Sequence, residues 1–149
     1  MKKILVTNDD GVYAEGIGTL ARALREAGCE VLVCAPDRER SASGHSMTMD
    51  RPLQIRKAGP AHTGGAEAWC CDGTPTDSVI MALEVLKFPA GFVISGINRG
   101  PNLGDDITYS GTACAAMEGV IAGLPSMAVS LVCRSRDKEL HYETAARAR

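Results

Sequence analysis

Two adjacent carboxylates, Asp9 and Asp10, stand directly after the apolar run Ile4-Leu5-Val6 and Thr7-Asn8, and before Gly11. In a parallel α/β sheet the carboxyl end of a strand delivers functional residues into the crevice where the following loop turns away. Two acids side by side repel each other unless a cation lies between them. A hard divalent metal with oxygen ligands is the simplest such cation. The run Asn8-Asp9-Asp10-Gly11 also suits an ordinary solvated turn, for backbone reasons alone.

Two further loops carry the same kind of atom. Residues 37–46 hold Ser41 and Ser43, and residues 98–106 hold Asn98, Asn102, Asp105 and Asp106. If the strands before these loops are parallel neighbours, all three loops share one rim of the sheet. Carboxylates, a hydroxyl and an amide oxygen suit Mg²⁺, Mn²⁺ or Ca²⁺, and the absence of a His/Cys cluster disfavours structural zinc. Asp105 and Asp106 are read as loop-shaping residues. His45, in the Ser-rich loop, is placed where it could reach a substrate, and a turn role is the preferred reading for it.

Ser110-Gly111-Thr112 then opens a small-residue helix. Free backbone N–H groups and the helix dipole at such a start favour a phosphate, although Ser-Gly before a helix is also ordinary capping. Beside a cation, the pairing suggests a phosphate held between metal and helix end. A metal there polarises a phosphoryl oxygen and lowers the pKa of bound water.

The elements that must position these groups follow from periodicity. Runs at residues 3–6, 31–35, 92–95 and 127–131, apolar but for Lys3, Ser95 and Ser130, read as strands, and the one at 31–35 shows no polar alternation, as when both faces are covered. Ile17, Leu20, Ala21, Leu24 and Ala27 recur at helical spacing, and Gly28 follows where a C′ glycine belongs. Residues 53–56 and 68–71 suggest a hairpin with a turn-like tip that includes His62, to which no role is assigned. Thr74-Pro75-Thr76-Asp77 reads as a capping box with proline at the first helical position, ahead of a stripe of Val79, Ile80, Leu83 and Leu86. Residues 113–122 read as a helix, and another begins at Tyr142 and runs to the end of the chain. The order predicts an α/β fold, a doubly wound and mostly parallel Rossmann-like sheet with a β-hairpin insertion. Residues 1–149 read as a single domain.

Composition excludes several function classes. The 149 residues, 45% hydrophobic, suffice for one domain with a real core, and a net charge of −2 argues against nucleic-acid polymers as partners. No run approaches the ~20 apolar residues of a membrane helix. The N-terminus is basic then apolar, but the apolar run is far too short for a signal peptide, so the expected location is cytoplasmic. Cys29, Cys34, Cys70, Cys71, Cys114 and Cys133 include no C-x-x-C pair, and they read as structural thiols.

Five spaced motifs resemble the SurE (survival protein E) family. They are Thr7-Asn8-Asp9-Asp10-Gly11, Ala35-Pro36-Asp37-Arg38 with Arg40-Ser41, Gly73-Thr74-Pro75-Thr76-Asp77, Ser95-Gly96-Ile97-Asn98-Arg99-Gly100-Pro101-Asn102-Leu103-Gly104, and Tyr109-Ser110-Gly111-Thr112. The resemblance runs from Met1 to about Leu131. It implies a metal-dependent phosphomonoesterase that hydrolyses nucleoside 5′- and 3′-monophosphates with Mg²⁺ or Mn²⁺. It further implies that Asp9, Asp10, Ser41 and Asn98 hold the metal, that Asp9 or Asp10 handles the proton of water, and that Ser110, Gly111 and Thr112, with Asn102, line the phosphate position. Family chains are longer, and their C-terminal part supplies further strands and an arm exchanged between subunits. That part is expected to be missing here, along with the oligomer contacts it makes.

Two other classes compete. One is a chain that binds metal and phosphate or nucleotide without turnover, disabled by the missing C-terminal part. The other is a receiver-type signalling domain, which also places paired acids after its first strand but leaves the Ser-Gly-Thr helix start unexplained. A dinucleotide-dependent oxidoreductase is disfavoured, because strand one leads to Asn-Asp-Asp-Gly and not to G-x-G-x-x-G.

Overall fold

A computed structural model describes residues 1–59, 63–133 and 139–147. His62 and residues 148–149, at the end of the expected C-terminal helix, lie outside the described residues. Six strands form one sheet in the order β3-β4-β2-β1-β5-β6. They are β1 (Lys3–Thr7), β2 (Glu30–Pro36), β3 (Ile55–Lys57), β4 (Glu67–Cys71), β5 (Phe92–Arg99) and β6 (Ser126–Leu131). Every neighbouring pair is parallel except β3 with β4.

The chain builds outward from β1 through β2 to β4, then returns to the other side of β1 for β5 and β6. That reversal leaves a crevice at the carboxyl ends of β1 and β5, where α/β sheets bind their ligands. β1 is therefore central, and Leu5 pairs with both Leu32 and Val93.

Side-chain alternation along β1 divides the core in two. Ile4 and Val6 pack with Ile17, Leu20 and Ala21 of α1 (Glu15–Glu26) and with Tyr142 of α4 (Tyr142–Ala146). Leu5, fully buried, packs on the opposite face with Val79 of α2 (Pro75–Ile80) and Ala115 of α3 (Gly111–Ile121). Such a leucine stabilises the fold by about 2–3 kcal/mol, and a polar residue there would unseat both layers' common strand.

Several elements differ from expectation in instructive ways. The hairpin forms, with Ile55 opposite Cys71 and Lys57 opposite Trp69, but β4 also pairs in parallel with β2. The second half of the hairpin is thus a full member of the parallel sheet, as its buried Ala68, Cys70 and Cys71 require. α2 stops at Ile80 and continues as a π-turn over Met81–Val85, so Ala82 is the fully buried residue there, whereas Ile80, Leu83 and Leu86 are only partly buried. β5 runs four residues past Ser95, with an irregular register against β6 between Ser95 and Asn98. Gly104–Thr108, expected as loop, is a short 3₁₀ helix. Both predicted caps are present: Thr74 with Asp77 closes a capping box, and the Ser110 hydroxyl accepts from the Ala113 N–H.

Candidate functional site

The loop after β1 is pinned by its own residues. Asn8, fully buried, donates from Nδ2 to the Gly11 carbonyl at 2.9 Å and accepts the Gly11 N–H at Oδ1 at 3.1 Å. Gly11 has φ +101, which side-chain-bearing residues rarely adopt. The Arg40 N–H donates to the Asp9 carbonyl at 2.7 Å, tying this turn to the loop after β2. The turn therefore fixes where both carboxylates emerge.

Each carboxylate is then oriented by a different element. Asp9 is 7% exposed, and its Oδ1 accepts the hydroxyl of Thr112 at the start of α3. Asp10 is less buried, and its Oδ2 accepts the Arg99 N–H from the end of β5 at 3.0 Å. Burial raises both above the usual carboxylate range. For Asp9 the hydrogen bonds from Thr112 oppose that shift. For Asp10 the Arg99 N–H opposes it, the neighbouring Asp9 and Glu39 charges reinforce it, and the result is about 6. Two carboxylates held in this state are electrostatically suited to a cation.

The loop between β2 and β3 brings the hydroxyls. Ser41 donates to Glu39 Oε1 at 2.5 Å, and Arg40 Nη2 donates to the Asp72 carbonyl at 2.8 Å. Further along, the Gly44 N–H donates to the Tyr109 carbonyl at 3.0 Å, and His45 Nε2 lies 2.7 Å from Glu118 Oε2 on α3. The far end is held by Asp77, 2% exposed, which accepts the Thr48 N–H, the Thr48 hydroxyl and the Thr74 N–H. The capping-box acid of α2 thus also anchors the loop that carries Ser41. His45 has a definite partner on α3 and does not line the cleft between the acids.

The third segment completes the rim. Asn98 donates from Nδ2 to the Gly100 carbonyl at 3.0 Å, and its Oδ1 takes no hydrogen bond from the described residues. Asn102 Nδ2 donates to Ser130 Oγ at 2.7 Å. Gly111 sits so close to Ser43 and Asp9 that a Cβ there would lie 2.6 Å from Ser43 Oγ and 2.9 Å from Asp9 Cβ.

A cleft of about 280 Å³ gathers Asp9, Asp10, Ser41, Asn98, Asn102 and Ser110. Gly111 and Thr112 do not line it; both are buried behind Asp9, and Thr112 spends its hydroxyl on that carboxylate. Of the two aspartates read as loop-shaping, Asp106 faces the cleft and Asp105 does not. Glu39 and Arg99 also line the cleft, and sequence reasoning assigned them nothing. For Glu39 the available signal was its place two residues before Ser41 in a polar loop.

The donor set fits a hard divalent cation. It comprises two carboxylates, a hydroxyl oxygen and an amide oxygen without a hydrogen bond, whereas zinc prefers nitrogen and sulfur. Among the described residues no group of three or more His, Cys, Asp or Glu side chains is placed to hold a metal, so a cation in this cleft would need the neutral oxygens of Ser41 and Asn98.

Comparison with known proteins gives a consistent result. The family model described as Survival protein SurE matches residues 4–149. The 5′-nucleotidase SurE of Desulforamulus reducens is 51% identical over 145 residues, which is 97% of this chain and 56% of that protein. The 5′-nucleotidase SurE of Thermosynechococcus vestitus is 55% identical over 130 residues, 87% of this chain and 49% of that protein. Among solved structures, the SurE protein from Aquifex aeolicus superposes with a TM-score of 0.79 at 42% identity, covering 97% of this chain and 55% of that one. The chain spans about half the length of the curated relatives it matches. With a family model spanning nearly the whole chain and about half of all aligned residues identical to those relatives, this protein belongs to the SurE family.

Proposed function

We propose that the cleft is the active site of a metal-dependent phosphomonoesterase that hydrolyses nucleoside 5′- and 3′-monophosphates to nucleoside and phosphate. The observation that carries the reading is the convergence of Asp9, Asp10, Ser41 and Asn98 on one cleft beside the start of α3. Those four residues hold Mg²⁺ or Mn²⁺, which supplies Lewis-acid polarisation of a phosphoryl oxygen when bound. The names of the relatives from Desulforamulus reducens and Thermosynechococcus vestitus support the nucleotidase assignment.

The chain's own residues do the rest. Asn102 and Ser110 line the cleft and bind phosphate oxygens, while Gly111 lets the helix start approach Asp9 closely. Thr112 keeps Asp9 oriented from behind. Asp10, the more exposed acid, is oriented by the Arg99 N–H on its Oδ2, and Asp9 or Asp10 handles the proton of the attacking water. Six free cysteines support a cytoplasmic location. No helix of the described residues is long and apolar enough to cross a membrane. In this reading a homo-oligomer belongs to the full-length family.

The test is phosphate release from a panel of nucleoside monophosphates, with Mn²⁺ or Mg²⁺ and again after chelation. Chelator-sensitive release that is abolished by Asp9→Asn and by Asp10→Asn is expected. The competing reading is binding of metal and phosphate or nucleotide without turnover. Saturable Mn²⁺ binding with no phosphate release from folded protein would select it.

A further inference from the structure

We propose that Glu39 is a positioning residue that acts through Ser41, taking the serine's hydroxyl proton in a hydrogen bond so that the oxygen's lone pairs are free for a divalent cation. This rests on the metal site of the preceding section and extends it to a residue outside the four proposed ligands.

The argument starts from what a serine must do to bind a cation. A hydroxyl has one proton and two acceptor lone pairs. Its oxygen can approach a cation only if the proton points elsewhere. Asp9 and Asp10 line the same cleft as Ser41, and a serine that donated to them would compete with the cation for their oxygens. Here the Ser41 hydroxyl instead donates to Glu39 Oε1 at 2.5 Å. Such a bond takes up the proton and makes the donor oxygen a better ligand.

The backbone between the two residues is held, so the pair has a fixed aim. Arg40, which separates them, donates its N–H to the Asp9 carbonyl at 2.7 Å and its guanidinium Nη2 to the Asp72 carbonyl at 2.8 Å. The first bond ties this segment to the turn that carries Asp9 and Asp10. The carboxylate of Glu39 itself lines the same cleft, on the rim rather than at its floor, since the residue is exposed.

The experiment is a double-mutant cycle read by Mn²⁺ binding alone, for example by the paramagnetic resonance signal of free Mn²⁺, without substrate. Glu39→Ala should weaken Mn²⁺ binding about tenfold, Ser41→Ala should weaken it at least as much, and Glu39→Ala added to Ser41→Ala should have no further effect. Glu39→Gln, which retains an acceptor for the hydroxyl, should restore part of the loss. Urea unfolding of the metal-free variants should match the parent, which separates positioning from general destabilisation. Undiminished Mn²⁺ affinity in Glu39→Ala overturns the inference and leaves the metal site standing. An equal loss from Glu39→Ala with or without Ser41 also overturns it, because the carboxylate then acts through its charge alone. Failure of the parent protein to bind Mn²⁺ overturns both the metal site and this inference.

Discussion

Thr112 donates its hydroxyl hydrogen bond to Oδ1 of Asp9, joining the start of α3 to the end of β1 across 103 residues of sequence. Asp9 is pushed towards its neutral form by burial and pulled back mainly by this bond. The threonine thereby helps to decide whether a nearly buried carboxylate is ionised and where its second oxygen points.

Thr112→Val keeps the side chain's shape and removes only the donor. It should weaken Mn²⁺ binding by roughly 10- to 100-fold, the usual effect of losing a partner that orients a ligand. Thr112→Ser should recover most of that affinity. A Mn²⁺ titration of the three proteins tests this, and equal affinities would show that Asp9 is oriented by its backbone alone.

Asp77→Ala should destabilise the chain by about 2–3 kcal/mol, because three donors lose their acceptor at one buried site. Urea unfolding at neutral pH measures it. The loss is expected to exceed that of Thr48→Ala, which removes only the loop's hydroxyl and leaves its N–H bond to Asp77 in place. Equal losses would mean that the Thr48 hydroxyl bond alone carries the effect and that the two backbone N–H bonds contribute little.

Much of this arrangement is legible in the residues themselves. Continuous apolar runs gave the strands because β1, β2 and β5 are covered on both faces, and the Thr74 and Ser110 caps were visible from residue type and spacing. What stayed hidden depends on tertiary register. Whether β4 joins β2 in parallel cannot be read from a hairpin pattern that describes only its pairing with β3. Thr112 looks like a cleft residue in a Ser-Gly-Thr helix start, yet helical geometry turns it inward to Asp9. Glu39 lacks any motif, and only the loop's anchoring to Asp9 and Asp72 brings it to the cleft.

The metal-free chain should lose stability as pH rises from about 4 to about 6. Asp10 has a folded-state pKa of about 6 against an ordinary 3.8, so the folded form holds a proton that the unfolded form releases in that window. Above the window the ionised carboxylate remains buried without a cation, and the cost is constant. Asp10→Asn should remove this residue's share of the dependence, leaving that of Asp9, and exceed the parent's stability at pH 7 by about 1–2 kcal/mol after allowance for solvent screening. Unfolding of both proteins at pH 4 and pH 7, with chelator throughout, tests the sign. Comparing the two chains removes the opposite contribution of Asp72, whose pKa is lowered. A parent that gains on Asp10→Asn between pH 4 and pH 7 contradicts the assignment.

Gly111→Ala should impair the site by steric displacement. The added Cβ would lie 2.6 Å from Ser43 Oγ, 2.9 Å from Asp9 Cβ and 3.1 Å from Pro75 Cγ. Ser43 can rotate its hydroxyl away, but Asp9 Cβ and the proline ring cannot yield without moving the turn after β1 or the start of α2. The helix start is therefore expected to shift away from Asp9, carrying Ser110 and Thr112 with it. Overpacking of this kind costs about 1–3 kcal/mol of stability, and a misplacement of ~1 Å can cost ~100-fold in turnover. Gly91→Ala provides the control, since a Cβ there meets only the Lys3 carbonyl at 3.7 Å, an ordinary contact. Phosphate release and urea unfolding of both variants separate the two effects: Gly111→Ala should fail in turnover even under conditions where it is fully folded, and Gly91→Ala should match the parent in both. Parent-like turnover in Gly111→Ala would mean that the close approach of α3 to Asp9 is a packing feature with no part in the chemistry.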